Sequence, residues 1–109
     1  MRRLPKFVRI MGQRMLITVV PDLVHKGTGD EHDERAYGVF YPDDPGIWLD
    51  KANGAERTKV TLVHECLHAM LNTSQFYDLP EEEVVSRMAP LLLDFIRANR
   101  GAIAYLQEN

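Results

Sequence analysis

The sequence predicts a small α+β domain, with strands in the first half of the chain and helices in the second. Within residues 7–50, segments rich in β-branched and apolar residues form two pairs, each separated by turn residues. Segments with helical periodicity and helix-start residues follow from residue 53 onward. Such segregation favours a small antiparallel or mixed sheet with two helices packed on one face.

Length and composition indicate one ordinary folded domain covering residues 1–109. The 109 residues suffice to enclose one hydrophobic core. Apolar residues make up 45% and charged residues 27%, which is close to the average for globular proteins. The net charge of −3 gives no reason to expect binding to nucleic acid or to an anionic membrane.

The sequence shows neither a membrane span nor a secretory signal. No apolar stretch approaches the ~18 residues of a membrane span, and the first residues lack the apolar region of a secretory signal. The single cysteine, Cys66, has no internal disulfide partner, as suits a reducing compartment. We therefore expect a cytoplasmic protein.

Four strands are expected in two hairpins. Residues 7–11 (FVRIM) and 14–20 (RMLITVV) flank Gly12-Gln13, a two-residue hairpin signal. Residues 36–41 (AYGVFY) and 47–50 (IWLD) flank a turn that is rich in proline and glycine. Between the hairpins, residues 21–35 carry two glycines and five acidic residues without a sustained period, which indicates a loop with room for one helical turn.

The first helix is predicted to run from a capping box to about Asn72. Asn53 followed three residues later by Glu56 has the spacing of such a box. The segment KVTLVHECLHAML within it is mostly apolar on every side, so we expect this helix to be buried almost all round.

The second helix is predicted to begin near Pro80. Asp78 or Leu79 would cap it, and three glutamates follow in its first turn, where the helix dipole favours negative charge. Pro90 should kink this helix, and Gly101 should end it, before a final short helical turn.

The first helix carries the motif H-E-x-x-H, as His64-Glu65-Cys66-Leu67-His68. At about 100° per residue, the two histidines and the glutamate fall within one narrow sector of the helix. Two imidazoles at this spacing can bind one zinc ion, while the neighbouring carboxylate reaches a water on the metal. A chance match has a probability of about 1% in a chain of this composition.

Burial gives a physical reason for a metal at this motif. An unpaired carboxylate and two unsatisfied imidazoles in an apolar segment would cost several kcal/mol. A divalent cation would remove most of that cost. The alternative is that His64 and His68 are ordinary core or boundary histidines, hydrogen-bonded to their neighbours. Cys66, two residues after His64, should point away from the metal and act as a small buried apolar residue.

A third protein ligand is needed, because catalytic zinc sites usually have three protein ligands and a water. No histidine follows His68, so the candidates are Glu81, Glu82 and Glu83. Helical periodicity excludes Glu83, which faces away from the apolar side, but it does not separate Glu81 from Glu82.

Residues 36–100 resemble small zincin metallopeptidase domains of the gluzincin type, especially minimal ones from phages and prophages, and are more distantly similar to the ImmA/IrrE group. The segments that carry this resemblance are AYGVFYPDDPGIWLD, TLVHECLHAML and EEEVVSRMAPLLLDFI. The Ala-Asn pair usual in the ImmA/IrrE group is Val85-Ser86 here. By the register of its second helix, the resemblance implies Glu82 as the third zinc ligand.

The resemblance implies zinc-dependent hydrolysis of a peptide or protein substrate. Zinc on His64, His68 and Glu82 would activate water, with Glu65 as general base. The strand before the motif helix, either IWLD or AYGVFY, would be a sheet edge that binds peptide. The oxyanion-stabilising group stays open among candidates that the sequence does not separate: Tyr37, Tyr41, Tyr77, His25 and His32.

The rival interpretation is a catalytically inactive zincin-fold module for binding or assembly in a phage or mobile element. Retention of Glu65 favours catalysis, because a structural site has four protein ligands and no need of a base. The sequence leaves the oligomeric state open.

Overall fold

A computed structural model describes residues 3–25, 34–44, 46–74 and 78–108. Within these ranges the chain is a small α+β structure in which strands precede helices. The strands are β1 (Phe7–Ile10), β2 (Gln13–Val20), β3 (Val24–His25), β4 (Glu34–Arg35), β5 (Gly38–Tyr41) and β6 (Gly46–Asp50). The helices are α1 (Ala55–Ser74), α2 (Glu81–Ala98) and α3 (Arg100–Gln107).

The first predicted hairpin is confirmed, although its turn lies one residue earlier than expected. Strands β1 and β2 are antiparallel, and Ile10 pairs with Gln13. The two turn residues are therefore Met11 and Gly12, with φ of 53° and 76°. Positive φ at both central positions matches the twist of a tight hairpin, and glycine reaches it without strain.

The second hairpin is also confirmed, and the two hairpins together make a mixed sheet. Strands β5 and β6 are antiparallel, whereas β2 and β6 are parallel, which gives the order β1-β2-β6-β5. The segment 21–35 was expected to be a loop, and in that respect the prediction is wrong. It contributes β3 and β4, which form a separate two-stranded sheet, while residues 26–33 lie outside the described part.

The core lies between one face of the four-stranded sheet and the helices. Alternate strand residues supply the sheet side, as expected from the two-residue period of a strand. All three helices supply the other side. The buried members of this cluster are Val8, Ile10, Met15, Ile47, Leu49, Leu62, Cys66, Ala69, Met70, Leu91, Phe95, Ala102 and Tyr105.

Helix α1 starts later than its sequence signal suggested. Its first backbone hydrogen bond runs from the Thr58 N–H to the Gly54 carbonyl, at 2.9 Å, so Gly54 precedes the first turn. Asn53 does not cap it. Instead, its side-chain amide donates to the carbonyl of Tyr37 at 3.0 Å and fastens the helix start to the strand region beside β5.

The predicted start of the second helix near Pro80 is confirmed, whereas its predicted cap at Asp78 or Leu79 and its predicted end at Gly101 are wrong. Pro80 is the residue before α2, and no side chain caps that end. The helix passes through Pro90 and ends at Ala98, whereas Gly101 lies inside α3.

Asn99 explains why the two helices separate at that point. Its side-chain oxygen accepts from the Arg9 N–H at 2.7 Å, and its amide donates to the carbonyls of Arg9 at 2.8 Å and Phe95 at 2.9 Å. The buried side chain of Asn99 thus pairs with the backbone at the free edge of β1, as a neighbouring strand would. It also holds the junction of α2 and α3 against the sheet.

Within the described residues, no helix is long and apolar enough to cross a membrane.

Candidate metal centre and cleft

The two motif histidines meet on the surface of α1. The Nε2 atoms of His64 and His68 lie 3.1 Å apart, and the ring centroids are 4.7 Å apart. Their four-residue spacing places them one above the other on the helix, as the motif requires.

The separation of the two nitrogens fits a pair of ligands to one zinc ion. Two nitrogens that each lie about 2.0–2.1 Å from one zinc ion are roughly 3.3–3.4 Å apart at the tetrahedral angle. The observed separation of 3.1 Å is within a few tenths of an ångström of that value. It also suits a hydrogen bond between two neutral imidazoles when only one carries a proton on Nε2. A metal would replace that proton.

Glu65 lies beside this pair but is much less accessible. Its side chain is 7% exposed, compared with 64% for that of His64, and its Oε2 is 3.9 Å from the His64 Nε2. A buried carboxylate next to an accessible imidazole pair is suitably placed to act as a base for a group that approaches the histidines.

A cleft opens on the same side of α1, between the helix and strand β5. It has a volume of about 240 Å³. Its lining residues come from the start of β5 and from the first half of α1: Tyr37, Gly38, Arg57, Val60, Thr61, His64 and Glu65. The candidate base and one candidate ligand therefore share a single cleft with an edge strand of the sheet.

Gly38 makes the close approach of β5 and α1 possible. A Cβ at this position would lie 2.4 Å from Thr61 Cγ2 and 3.2 Å from both Glu65 Cγ and Leu49 Cδ2. The first distance is far below van der Waals contact, so only glycine lets the strand lie here without displacement. Because Glu65 is one of the groups that an added Cβ would meet, a larger residue at position 38 would also crowd the side chain of Glu65.

The sequence suggested that α1 is buried almost all round, but one side of the helix is exposed. Its outer side presents four apolar residues, which we call the α1 apolar stripe: Val60 (53% exposed), Val63 (42%), Leu67 (36%) and Leu71 (38%). Only the opposite side packs into the core. The three polar motif residues therefore sit at the border between the buried side and an exposed apolar side.

The predicted third ligand, Glu82, is exposed in the first turn of α2, as are Glu81 and Glu83. Glu83 is paired with Arg87, at 3.2 Å. The inner side of this helix is marked by Val84, Met88, Leu91 and Phe95. By helical geometry, Glu81 lies about 50° from its centre, Glu83 about 110° and Glu82 about 150°. The expectation that Glu83 faces away from the inner side more than Glu82 does is therefore wrong.

Among the described residues, no three His, Cys, Asp or Glu side chains are arranged to hold a metal ion together. The structure thus brings His64, Glu65 and His68 together, whereas the assignment of Glu82 as a ligand stays a prediction.

Cys66 lies in the core, 2% exposed. Burial, with a smaller contribution from the negative charge of Glu65, raises the pKa of its thiol from 9.0 to about 12. The thiol is therefore protonated at neutral pH and is not a nucleophile. This agrees with the expectation that it acts as a small apolar residue.

The five candidates for oxyanion stabilisation differ in position. Tyr37 lines the cleft, whereas Tyr41 packs edge-on against Trp48, with ring centroids 5.2 Å apart. His25 lies in β3, and residues 32 and 77, the other two candidates, lie outside the described part.

Three cleft residues were not singled out from the sequence: Gly38, Thr61 and Arg57. A glycine inside a strand is a signal for close backbone approach and could have identified Gly38. Arg57 lies seven residues before His64, two turns away on nearly the same side of a helix.

Comparison with known proteins gives no further guidance, since no family model, no curated protein and no solved structure matches this chain significantly.

Proposed function

We propose that this chain is a zincin-like, zinc-dependent peptidase. The observation that carries the proposal is the 3.1 Å separation of His64 Nε2 and His68 Nε2, beside a cleft that is lined by His64 and by the buried residue Glu65. Two imidazoles and one carboxylate form the donor set of many catalytic zinc sites, with Glu82 as the proposed third ligand.

His64 and His68 would hold the ion through Nε2. When bound, zinc supplies a Lewis acid that polarises a carbonyl and makes water a stronger acid. Glu65 takes a proton from the attacking water and delivers it to the leaving amine. Its burial restricts the positions that the carboxylate can take while it does so.

The free edge of strand β5 favours a peptide as the substrate. It is the last strand of the four-stranded sheet, and the Asp50 N–H donates to the Tyr37 carbonyl at 2.9 Å. Because facing residues of an antiparallel pair alternate between bonded and non-bonded positions, the backbone groups of Gly38 and Phe40 point away from β6. An extended peptide can pair with them beside Glu65.

The test combines metal content with cleavage. Purified wild type and Glu65→Gln are expected to contain about one zinc each by mass spectrometry, but only wild type should cleave a peptide library. Glu56→Gln, an exposed change on the same helix, is the matched control and should remain active. A wild-type protein without bound metal after zinc loading would rule out the proposal.

The third ligand is tested by three parallel variants, Glu81→Gln, Glu82→Gln and Glu83→Gln. We expect only Glu82→Gln to weaken zinc affinity, by at least the roughly 10–100-fold that loss of a ligand's hydrogen-bond partner typically costs. Equal effects in all three would contradict this assignment, and an isolated effect of Glu81→Gln would transfer it to Glu81.

A second candidate function is a zincin-fold binding module without catalysis. The observation that favours it is the α1 apolar stripe, since exposed apolar patches on folded proteins often mark interaction surfaces. The same paired experiment separates the two functions, because bound zinc without cleavage of any peptide is the result expected of the module.

A further inference from the structure

We propose that the cleft selects substrates carrying a carboxylate, and that Arg57 is the residue that recognises it. This inference rests on the proposed peptidase function and names the substrate class of the same cleft. Its basis is the position and surroundings of one arginine that the hydrolytic chemistry does not use.

Arg57 lines the cleft from the first turn of α1. It lines the same pocket as His64 and Glu65, and its guanidinium carbon lies 4.6 Å from the centroid of the Tyr37 ring. Stacking on an aromatic face holds the guanidinium in one plane and leaves its N–H edge available for a planar carboxylate. Two elements of the fold, the start of β5 and the first turn of α1, thus present one oriented cation to the cleft.

The charge environment of Arg57 is also unusual. It is the third residue of α1, at the end of the helix where the backbone dipole disfavours a positive charge. Among the described residues, no Asp or Glu forms an ion pair with it, in contrast to Arg35 and Arg87. An incoming carboxylate would supply a counterion at the position where the helix dipole also attracts an anion.

Distance sets the place of this carboxylate in a substrate. Arg57 precedes His64 by seven residues, which corresponds to about 10 Å along the helix on nearly the same side. An extended peptide covers about 3.3 Å per residue. The recognised group therefore lies about two or three residues from the bond that is cleaved. An aspartate or glutamate side chain and a free C-terminal carboxylate share this chemistry.

The first experiment reads specificity from cleavage. Wild type, Arg57→Glu and Arg14→Glu are incubated with random octapeptides that have either blocked or free C-termini, and the products are sequenced by mass spectrometry. Arg14 is the matched control, because it also stacks on an aromatic ring, with its guanidinium carbon 4.0 Å from the Phe7 centroid, but lies in the β1–β2 hairpin, which β6 separates from β5.

We expect wild type and Arg14→Glu to favour acidic residues two or three positions from the cut, by about tenfold over their amides. Arg57→Glu should lose this preference and favour lysine or arginine. A preference confined to peptides with free C-termini would identify the terminal carboxylate as the recognised group. Cleavage without acidic preference, or an unchanged preference in Arg57→Glu, would overturn the inference.

A binding measurement separates failure of this inference from failure of the peptidase proposal. Fluorescence anisotropy compares a labelled acidic peptide with its Asn/Gln counterpart on Glu65→Gln and on Glu65→Gln/Arg57→Glu. Selective binding lost with Arg57, combined with no cleavage by wild type, would refute the peptidase and keep the carboxylate site. Cleavage by wild type together with equal binding of the two peptides would refute the carboxylate site alone.

Discussion

Replacing Gly38 with alanine tests whether the close approach of β5 to α1 is what shapes the cleft. The new Cβ would lie 2.4 Å from Thr61 Cγ2, where unstrained carbon contacts are about 3.5–4.0 Å. Strand and helix must therefore separate by about 1 Å, or Thr61 must leave its rotamer. Leu49 on β6 limits how far the strand can shift, because its Cδ2 would lie 3.2 Å from the new Cβ.

Overpacking of this size costs about 1–3 kcal/mol. The loss of glycine flexibility in the unfolded chain returns up to about 1 kcal/mol. We expect a net decrease of about 1–2 kcal/mol in the free energy of unfolding. For a chain of 109 residues, with about 2 cal/mol/K of unfolding entropy per residue, this lowers Tm by roughly 4–9 °C.

The assay is urea and thermal unfolding of Gly38→Ala, Thr61→Ser and the double variant. Serine lacks the methyl group that the alanine would strike, so Gly38→Ala should cost at least 1 kcal/mol less in the Thr61→Ser background. Gly54→Ala is the control, because no atom lies within 4 Å of a Cβ there. A Gly38→Ala protein as stable as wild type, or the same cost in both backgrounds, would refute the reasoning.

Three further predictions concern buried polar groups. The hydrogen bond from the Ala52 N–H is the main reason that the pKa of Asp50 is held below its ordinary value of 3.8. The Asp50 carboxylate therefore stabilises the fold at pH values above 3.8, and this stabilisation is lost as the pH falls through the lowered pKa. Asp50→Asn should therefore lose stability at pH 7 and show a flatter acid dependence in urea titrations; a dependence equal to that of wild type would contradict this. Cys66 should resist a thiol reagent such as dithionitrobenzoate in the native protein and react after denaturation, since a buried thiol with a pKa of about 12 has almost no thiolate at neutral pH; rapid native labelling would be inconsistent with its burial. Asn99→Ala should lower the free energy of unfolding by about 1–3 kcal/mol, because it removes three hydrogen bonds and leaves the Arg9 backbone without a partner side chain; urea unfolding within 0.5 kcal/mol of wild type, roughly the effect of an inert surface substitution, would count against it.

Local features of the fold followed from the sequence because short-range patterns determine them. Both hairpins and the site helix are specified by turn residues and periodicity within a few positions. The parallel pairing of β2 with β6 joins segments distant in sequence, and no local pattern encodes it. Strands β3 and β4 have two residues each, which is too short for a period of two to be recognisable.

In the candidate site, too, local patterns determine some features and long-range contacts determine others. The motif spacing alone brings His64 and His68 together, since four residues make about one helical turn. Which side of α1 packs into the core depends on tertiary contacts, so Val60 and Leu67 were expected inside but lie exposed. The contribution of Glu82 depends on how α2 is placed against α1, which periodicity within a single helix cannot determine.

The parallel pairing of β2 with β6 also bears on how the chain folds. Each hairpin closes through neighbouring residues, and hairpins form in about 1–10 μs. Joining them requires Leu16 to meet Gly46 across the intervening segment, which has a larger loop-closure entropy cost. We therefore expect that step to limit the rate, with substitutions at Ile17 and Leu49 slowing refolding and changes in the hairpin turns mainly accelerating unfolding. The two imidazoles share one helix and the cleft lies between β5 and α1, so neither needs β2 to have paired with β6, and both can form before the hairpins join.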